Sequence, residues 1–493
     1  MTRIPRALLV CLLGLEAAGA ASAGVAAQAA GTPDWNTALS LPVSPDLNPD
    51  PRVLEINLEA YTAEVEVSPG RRVQAWTYNG SIPGPLIRAR VGDRLIVHFT
   101  NRLPAPTTIH WHGLRVPVQM DGVPGASQPD VQPGESFTYD LVIPDAGLYW
   151  YHPHVMSAAQ VGFGLYGAFL VDDPDEGFSV PEEHVLVLSD IDVTESGELT
   201  PADSGGSTGM AFGREGNTLL VNGRTQPRVR VQPGVPQRWR VVNAAKSRYF
   251  GLDAGEGQVF TRIGGDGGLI EYPVRTDFLI LAPGERADAF FTPEGKPGST
   301  LSIIAQLVDR GFGSTEARVS EDLLTLVMGD APAGPAAPLP APTRLIPEIE
   351  RTGATRVDIE FGISQSGANR AFYYTINGKA LGLFAPVPAR VGETQIWTVT
   401  NTTPWSHPFH LHGFFFQVLD SSGAPVRPLE WKDTVNVPFK STRSLVVRYD
   451  DRPGSWMFHC HVLDHADGGL MGTVGLTRAG EALPAPHFHP TEP

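Results

Sequence analysis

Cysteine is almost absent from this chain of 493 residues, which contains only Cys11 and Cys460. Cys11 lies in an apolar N-terminal stretch that is typical of a secretion signal, so the exported protein keeps one thiol without a disulfide partner. An exposed free thiol is open to oxidation in an oxidising compartment. A thiolate held as a soft metal ligand avoids this liability, and His459 and His461 flank Cys460 directly.

Positive charge and long apolar runs are also scarce. The chain has 37 basic and 53 acidic residues, and its net charge of −16 argues against a nucleic-acid partner. Residues 1–30 combine Arg3 and Arg6 with a short apolar core and then small residues, which predicts a cleaved signal peptide and a protein that is periplasmic or secreted. That core is too short for a bilayer span and no other stretch is apolar enough, so we predict no membrane span.

Histidine, in contrast, is strongly clustered. Ten of the 14 histidines fall into four short groups, and Cys460 lies within the last of them. Core packing does not explain four such groups, whereas metal binding does. The groups are His110-Trp111-His112, His152-Pro153-His154, His407-Pro408-Phe409-His410-Leu411-His412, and His459-Cys460-His461 with His465.

The spacing within the groups predicts how the ligands are arranged. Side chains alternate between the two faces of a strand, so His459 and His461 point to one side of their strand and Cys460 to the other. Each His-x-His pair likewise directs both imidazoles to one face, which brings eight histidines to a cluster of about three metal ions. His407 and His465 remain to join Cys460 in the His₂Cys set of a blue-copper site. The eight cluster histidines are His110, His112, His152, His154, His410, His412, His459 and His461.

The mature chain of about 460 residues is too long for one hydrophobic core and suggests three domains. Three strand-like runs end in an asparagine shortly before a turn, at Asn101, Asn243 and Asn401. We interpret them as a repeat of about 150 residues that forms one β-sandwich per copy. The predicted organisation is a signal peptide at 1–30, domains at 48–175, 176–330 and 348–480, a stiff Ala- and Pro-rich linker at 331–347, and a tail at 481–493.

Only the first and third predicted domains carry histidine groups. The cluster is therefore expected at the seam between them. The middle domain is expected to be a spacer that supplies no metal ligand, with a wall of the substrate cleft as a further role. Residues 204–213 of the middle domain are rich in glycine and serine. We expect an inert surface loop there, with a place at the border of a substrate cleft as the alternative.

With these motifs the chain resembles the multicopper oxidase family over nearly its whole mature length. The family's ligand motifs, HxH, HxH, HxxHxH and HCHxxxH, occur in the expected order, and Asn79–Pro85 and Asp121–Gly125 also resemble family sequence. The resemblance implies an all-β fold of three consecutive cupredoxin-like Greek-key β-sandwich domains, with four copper ions. It implies type 2 copper at His110 and His410, a type 3 pair at His112, His152, His154, His412, His459 and His461, and type 1 copper at His407, Cys460 and His465.

Two positions depart from the common family pattern. The axial position of type 1 copper, five residues after His465, is Leu470, so we expect no thioether ligand and a raised potential. A shift of one residue would bring in Met471 instead. Ala466 stands where some bacterial relatives have a glutamate that helps to deliver protons. Asp121 is then the candidate proton relay, with tightening of its own turn as the alternative role.

The resemblance further implies an oxidoreductase that takes single electrons from a small reducing substrate and reduces dioxygen to water. We predict that His407 is the exposed type 1 ligand at which the donor delivers electrons, and that Cys460 links this site to the cluster. The seven methionines are scattered, so the methionine-rich segment of a cuprous-ion oxidase is missing. We therefore favour a laccase-like oxidase of phenols and aromatic amines, acting as a monomer.

Two alternatives remain open. One is a metal oxidase for Cu(I), Fe(II) or Mn(II) in copper tolerance, which shares the catalytic class. The other is a redox-inactive cupredoxin protein with a structural role in the cell envelope, which the complete set of ten histidines and Cys460 disfavours.

Overall fold

Strands make up nearly half of the described part of the chain and helices very little of it, as the alternating sequence patterns predict. The computed structural model describes residues 39–311, 319–330, 343–366 and 371–484. The predicted signal peptide at 1–30 lies outside the described residues, as do 331–342 of the predicted linker and 485–493 of the predicted tail. Within the described ranges no helix is both long enough and apolar enough to cross a membrane.

The first sandwich comprises residues 53–172. Its elements are β1 (Val53–Ser68), β2 (Arg71–Tyr78), β3 (Gly84–Arg90), β4 (Arg94–Asn101), β5 (His110–His112), a 3₁₀ helix (Val118–Met120), β6 (Ser136–Val142), β7 (Gly147–His152), α1 (Ser157–Gly162) and β8 (Gly167–Asp172). One sheet has the strand order β2-β1-β4-β6 and the other β3-β8-β7-β5. Alternate residues of both sheets, such as Ile56, Leu58 and Phe169, meet in one buried core.

The middle sandwich comprises residues 182–328. Its elements are β9 (Glu182–Ile191), α2 (Gly206–Phe212), β10 (Thr218–Val221), β11 (Arg228–Val231), β12 (Gln237–Asn243), β13 (Phe250–Asp253), β14 (Phe260–Gly265), β15 (Gly268–Thr276), β16 (Phe278–Leu281), β17 (Arg286–Phe291), β18 (Thr300–Gln306) and β19 (Glu321–Met328). The sheets have the orders β10-β9-β12-β17-β14-β15 and β11-β19-β18-β13-β16. Trp239 and Phe291 belong to the core between them.

The third sandwich comprises residues 355–477. Its elements are β20 (Thr355–Ser366), β21 (Ala371–Ile376), β22 (Val387–Arg390), β23 (Thr394–Asn401), β24 (His407–Leu411), β25 (Phe416–Leu419), β26 (Thr434–Val437), β27 (Thr442–Arg448), β28 (Gly454–Cys460), α3 (Leu463–Asp467) and β29 (Met471–Thr477). The sheets have the orders β21-β20-β23-β27-β25 and β22-β29-β28-β24-β26. The core between them is aromatic and includes Cys460. An all-β fold of three sandwiches is thereby confirmed.

The predicted repeat is built around a buried asparagine corner in each sandwich. A long first strand runs parallel to the strand that ends in the asparagine: β1 with β4, β9 with β12, and β20 with β23. The side-chain oxygen of Asn101, Asn243 and Asn401 accepts a hydrogen bond from the backbone N–H two residues later. The amide nitrogen donates to at least two backbone carbonyls. These bonds satisfy a tight, buried turn that would otherwise leave polar backbone groups unpaired.

This corner sets the position of the metal-binding strands. Nine and eleven residues after the asparagine, the first and third sandwiches both have a His-x-His pair, whereas the middle sandwich has Leu252 and Ala254. Six residues after it, the third sandwich has His407 and the first has Thr107. The repeat therefore places imidazoles at matching positions of the two outer sandwiches and apolar residues at those positions of the middle one.

Candidate metal centre

Cys460 is the last residue of β28, which lies between β24 and β29. Across the strand pair, Phe409 is opposite Cys460 and His410 is opposite His459. Residues directly opposite each other share a face of the sheet. Cys460 and Phe409 therefore face the core of the third sandwich, while His459 and His410 face away from it. This is the alternation that the sequence predicts.

Two histidines accompany the sulfur of Cys460. His407 Nδ1 lies 3.3 Å from Cys460 Sγ, His465 Nδ1 lies 3.7 Å from it, and the two nitrogens are 3.0 Å apart. His407 comes from β24 and His465 from α3, and all three side chains are buried. Thr403 Oγ1 lies 2.7 Å from His407 Nε2 and so orients this imidazole with Nδ1 toward the sulfur. The geometry suits one soft metal ion bound by two nitrogens and one sulfur.

The other eight histidines converge at the seam between the first and third sandwiches. They form overlapping groups of three in which the candidate ligand atoms all lie within 4.8 Å of one another. Two of these groups have no residue in common. A third group contains His110 and His410 and shares His112 with one of the other two. The groups are His112, His152 and His461; His154, His412 and His459; and His110, His112 and His410.

Hydrogen bonds to carbonyl oxygens fix the proton on several of these imidazoles. The Nδ1 atoms of His110, His152 and His410 lie 2.7, 3.0 and 3.0 Å from backbone carbonyl oxygens. A carbonyl only accepts, so each Nδ1 carries the proton and each Nε2 carries a lone pair. These three Nε2 atoms are buried without a hydrogen-bond partner. An unpaired buried acceptor costs about 1–3 kcal/mol, which a bound metal ion would offset.

His412 and His459 give the clearest test of whether a metal fits. His459 Nδ1 donates to the Cys460 carbonyl at 2.8 Å, and His412 Nδ1 donates to Asp121 Oδ2 at 2.8 Å. Both Nε2 atoms therefore hold lone pairs, yet they lie 3.1 Å apart. Two lone pairs repel at this distance unless a cation lies between them. The arrangement of the side chains thus fits copper, which imidazole binds well.

Comparison with known proteins agrees with this geometry. Models of the family described as multicopper oxidase match residues 60–176, 182–318 and 355–478. Multicopper oxidase MmcO of Mycobacterium tuberculosis is 31% identical over 458 residues, which cover 85% of this chain and 86% of that protein. The chain belongs to the multicopper oxidase family. It is therefore a copper-dependent oxidoreductase with dioxygen as acceptor, and the family pattern is four copper ions per chain.

Two further relatives differ in the activity that their names state. A laccase of Bacillus subtilis is 27% identical and is covered over 98% of its length, with 89% of this chain aligned. The solved structure of a multicopper oxidase from Campylobacter jejuni, described as a metallo-oxidase, has a TM-score of 0.78 at 26% identity. That match covers 91% of this chain and 96% of the other.

In this multicopper oxidase, Asp121 contacts two cluster imidazoles. Its Oδ2 accepts from His412, its backbone carbonyl accepts from His110, and its Oδ1 lies 3.4 Å from His110 Nδ1. Burial alone would raise the pKa of Asp121, but His412 and His110 outweigh it and hold the pKa well below its ordinary value. The carboxylate is thus ionised and orients imidazoles, which is more than the tightening of a turn.

The register of β28 and β29 bears on the axial position. Met471 lies opposite His459, so its side chain is on the cluster face of the strand and not on the face of Cys460. Leu470 is fully buried in the same core as Cys460, and its carbonyl accepts from the Cys460 backbone N–H at 3.0 Å. The shifted register with Met471 as axial residue is therefore disfavoured.

The expectation that His407 is exposed is wrong. His407 and His465 are both 0% exposed. His407 is closed off by Phe361 and Tyr374, whose rings lie 5.8 and 5.7 Å from its own. Residues 204–213 are not an inert loop either, because Gly206–Phe212 form α2. The Tyr374 hydroxyl beside His465 donates to the Ala211 carbonyl of this helix at 2.8 Å.

Sequence reasoning missed one ligand partner, Asp433. Its Oδ1 lies 3.2 Å from His112 Nε2, and its backbone carbonyl accepts from His410 Nδ1. Arg286 of the middle sandwich in turn pairs with Asp433. The only signal in the sequence is an acidic residue just before the apolar-polar run of β26, which also describes many solvent-facing residues.

Proposed function

We propose that this multicopper oxidase is a laccase-like enzyme that oxidises phenols or aromatic amines. Copper bound at the two centres would accept single electrons from the donor near Cys460 and supply four of them to dioxygen at the histidine cluster. We also propose export to the periplasm or the cell exterior, which rests on the signal-like pattern of residues 1–30 alone.

The ligand assignment that we propose follows the resemblance. The three-membered groups at Cys460 and at the two halves of the cluster support it, because each offers three donor atoms within reach of one ion. The assignment is type 1 at His407, Cys460 and His465; type 3 at His112, His152, His461 and at His154, His412, His459; and type 2 at His110 and His410.

The chain itself connects the two centres. Cys460 is bonded through its own backbone to His459 and His461, and its carbonyl accepts the Nδ1 proton of His459 at 2.8 Å. The sulfur is therefore linked to both imidazoles through the covalent chain, and to His459 also through its own carbonyl and one hydrogen bond. Such a short bonded connection suits transfer of electrons between sites that face opposite ways.

Asp121 is the residue that we propose to pass protons at the cluster, as an ionised carboxylate that accepts a proton only transiently. Its Oδ2 keeps a proton on His412 Nδ1, which leaves Nε2 free to bind metal. Its Oδ1 is buried without a hydrogen-bond partner and can accept a proton that arrives from solvent. Ala466 offers no acid at the alternative position, so this carboxylate is the candidate relay.

The aromatic side chains near His465 are the observation that supports the proposed substrate class. Trp405 and Phe212 lie in contact with ring centroids 5.2 Å apart, and Trp405 lies 6.5 Å from His465. Asp464, which precedes His465 in α3, is already bonded to Arg214 and to Ser247. An aromatic wall beside a carboxylate that is already paired suits stacking of an aromatic donor better than capture of a metal ion.

Oxygen uptake by the copper-loaded protein tests this proposal. A methoxyphenol, an aromatic amine and Cu(I) are supplied as separate donors, and kcat/KM is compared. We expect the two organic donors to exceed Cu(I). A higher kcat/KM for Cu(I) than for both organic donors contradicts the proposal.

A metal oxidase is the second candidate, and Met210 favours it. Met210 lies in α2, which packs on α3. Its sulfur is close to Gly468 at the end of α3, since a Cβ atom added at Gly468 would lie 3.2 Å from it. A single thioether above the type 1 site could bind Cu(I) as a substrate. This candidate predicts that Met210→Leu lowers the rate with Cu(I), whereas the laccase-like proposal predicts no change with any donor.

A further inference from the structure

A buried arginine of the middle sandwich lies beside the histidine cluster. Arg286, the first residue of β17, donates from Nη1 to Asp433 Oδ1 at 2.8 Å and from Nη2 to Asp433 Oδ2 at 2.5 Å. Both side chains are at most 1% exposed. Two parallel hydrogen bonds between a guanidinium and a carboxylate fix orientation as well as distance. The Asp433 carboxylate therefore cannot rotate without losing both bonds.

The guanidinium is itself held in place by all three sandwiches. Besides its two bonds to Asp433, Arg286 donates from Nε to the Leu148 carbonyl at 3.1 Å, from Nη1 to the Gly284 carbonyl at 2.9 Å and from Nη2 to the Asp266 carbonyl at 2.8 Å. These bonds use all five N–H groups of an arginine side chain. A lysine could not reproduce them, since it has three donors on one nitrogen.

Asp433, held in this orientation, bonds two histidines of the cluster. His112 Nε2 lies 3.2 Å from Asp433 Oδ1, and His410 Nδ1 donates to the Asp433 carbonyl at 3.0 Å. The two bonds from the Arg286 guanidinium hold Asp433 as a carboxylate, whose oxygens can only accept hydrogen bonds. The ionised carboxylate accepts the proton of His112 Nε2, which leaves Nδ1 as the donor atom of this imidazole toward a metal.

The backbone of the middle sandwich also touches the cluster. A side chain at Gly284 would place its first carbon 2.9 Å from His461 Cδ2 and 3.1 Å from His112 Cε1. At Gly113, directly after His112, the added carbon would lie 2.4 Å from Arg286 Nη2 and 2.8 Å from Asp433 Oδ2. Both glycines have φ near +88°, which suits glycine alone among ordinary residues. The contact between imidazoles and middle sandwich is therefore direct.

The chain segment that carries Asp433 is bound to the middle sandwich along its length. Glu430 Oε2 accepts from Arg262 Nη1 at 2.6 Å. Lys432 Nζ lies 3.2 Å from a carboxylate oxygen of Asp266 and 3.2 Å from one of Glu285. The middle sandwich thus sets the position of residues 430–433 before any metal is bound.

We infer that Arg286 is a positioning residue for the histidine cluster. It acts through Asp433 on His112 and His410. The middle sandwich contributes no ligand to the described metal groups, yet it forms a wall of the cluster and fixes the proton on one of its imidazoles. This inference rests on the proposed assignment of those histidines as copper ligands. It excludes the simpler role of Arg286 as a tie between domains without effect on the metal.

Two variants test the inference on the copper-loaded protein. Arg286→Lys keeps the charge but loses the paired bonds, and Asp433→Asn keeps the shape but loses the negative charge. For both we expect a changed EPR hyperfine coupling of type 2 copper and a kcat about 10- to 100-fold lower, the usual range for a lost partner of a metal ligand. The blue absorption of type 1 copper and the KM for the donor stay at wild-type values.

Arg238→Lys is the matched control. Arg238 is also a buried arginine of the middle sandwich that pairs with carboxylates, Asp288 and Glu176, but it contacts no histidine of the cluster. We expect a lower midpoint of unfolding and unchanged EPR parameters and kcat. Wild-type EPR parameters and kcat in Arg286→Lys and Asp433→Asn, with only the loss of stability seen in Arg238→Lys, would overturn the inference.

The same experiment separates this inference from the proposed function. Wild-type protein with four copper ions and donor oxidation supports the ligand assignment, whatever the variants do. Wild-type protein with fewer than three ions at the cluster refutes the assignment itself. If Arg286→Lys does not fold, Asp433→Asn alone tests the inference. In this variant Arg286 keeps its bonds to three backbone carbonyls, so we expect the protein to fold.

Discussion

At the scale of single residues, the side chains of Cys460, His407 and His465 are uncharged when no metal is bound. Burial raises the pKa of the Cys460 thiol, and it lowers the pKa of His407 to about 3. Burial also lowers the pKa of His465 well below its ordinary value. Between about pH 5 and 8 the sulfur is therefore protonated and both imidazoles are neutral. A copper ion that binds there displaces one proton, and this proton comes from sulfur.

Copper loading should therefore depend on pH with a slope set by one proton. We expect the affinity for Cu(I) at this site to rise about tenfold per pH unit between about pH 5 and 8, because lower pH favours the thiol. Competition with a Cu(I) chelator measures the slope, and Cys460→Ser should abolish this pH-dependent binding. A flat profile would mean that Cys460 is already a thiolate, and a steeper one that an imidazole is protonated.

The histidine pairs could be predicted from the sequence because strand alternation is a local rule. His459, Cys460 and His461 are adjacent in the chain, so period two alone assigns their faces. Arg286 and Asp433 could not be predicted in this way, since 147 residues separate them and each alone resembles a solvent-facing charge. The burial of His407 was also missed, because exposure depends on which distant segments cover a residue.

At the scale of elements, α2 packs against α3, the helix that carries His465. Gly205, Gly206 and Gly213 at its ends all have positive φ. Arg214 holds the helix closed: its backbone N–H and Nη1 bond Asp464 in α3, and its Nε donates to the Ser204 carbonyl at 2.7 Å. A short helix between glycines is stable here only because of such tertiary bonds.

Loss of the bonds between Arg214 and Asp464 should let α2 move and give larger donors access to His465. We expect Arg214→Ala to raise kcat/KM for a bulky phenol by about tenfold, because one charge-assisted hydrogen bond contributes about 1.5–3 kcal/mol to the closed state. Steady-state oxygen uptake measures the effect. Arg240→Ala, which removes a buried arginine of the same sandwich far from α2, should leave kcat/KM unchanged. A lower midpoint of unfolding without any gain in kcat/KM would show that α2 does not limit access.

The strands were predictable and α2 was not. The three strand-like runs end at Asn101, Asn243 and Asn401, and these are the last residues of β4, β12 and β23. Residues 204–213 contain four glycines, which disfavour a helix by propensity. Their helical turn depends on bonds to Tyr374 and Asp464, which are far away in the sequence.

At the scale of the whole molecule, the repeat explains both what was predicted and what was missed. The asparagine corners at 101, 243 and 401 mark three sandwiches, and the histidines mark which two of them meet at the cluster. The middle sandwich was predicted to be a spacer because it has no histidine group. The sequence does not reveal the contribution of the middle sandwich, because one arginine and one glycine, Arg286 and Gly284, form no recognisable motif. The exact domain limits stay a prediction.

The central claim is that Cys460 and its two neighbouring histidines serve two separate metal centres from opposite faces of one strand. Copper content and EPR of the wild-type protein and of Cys460→Ser, each reconstituted with copper, test it most directly. We expect four ions in the wild-type protein, and three in the variant, with the blue absorption lost and the type 2 EPR signal retained. Loss of the whole cluster together with the sulfur, or a wild-type protein that binds only one ion, would contradict the claim.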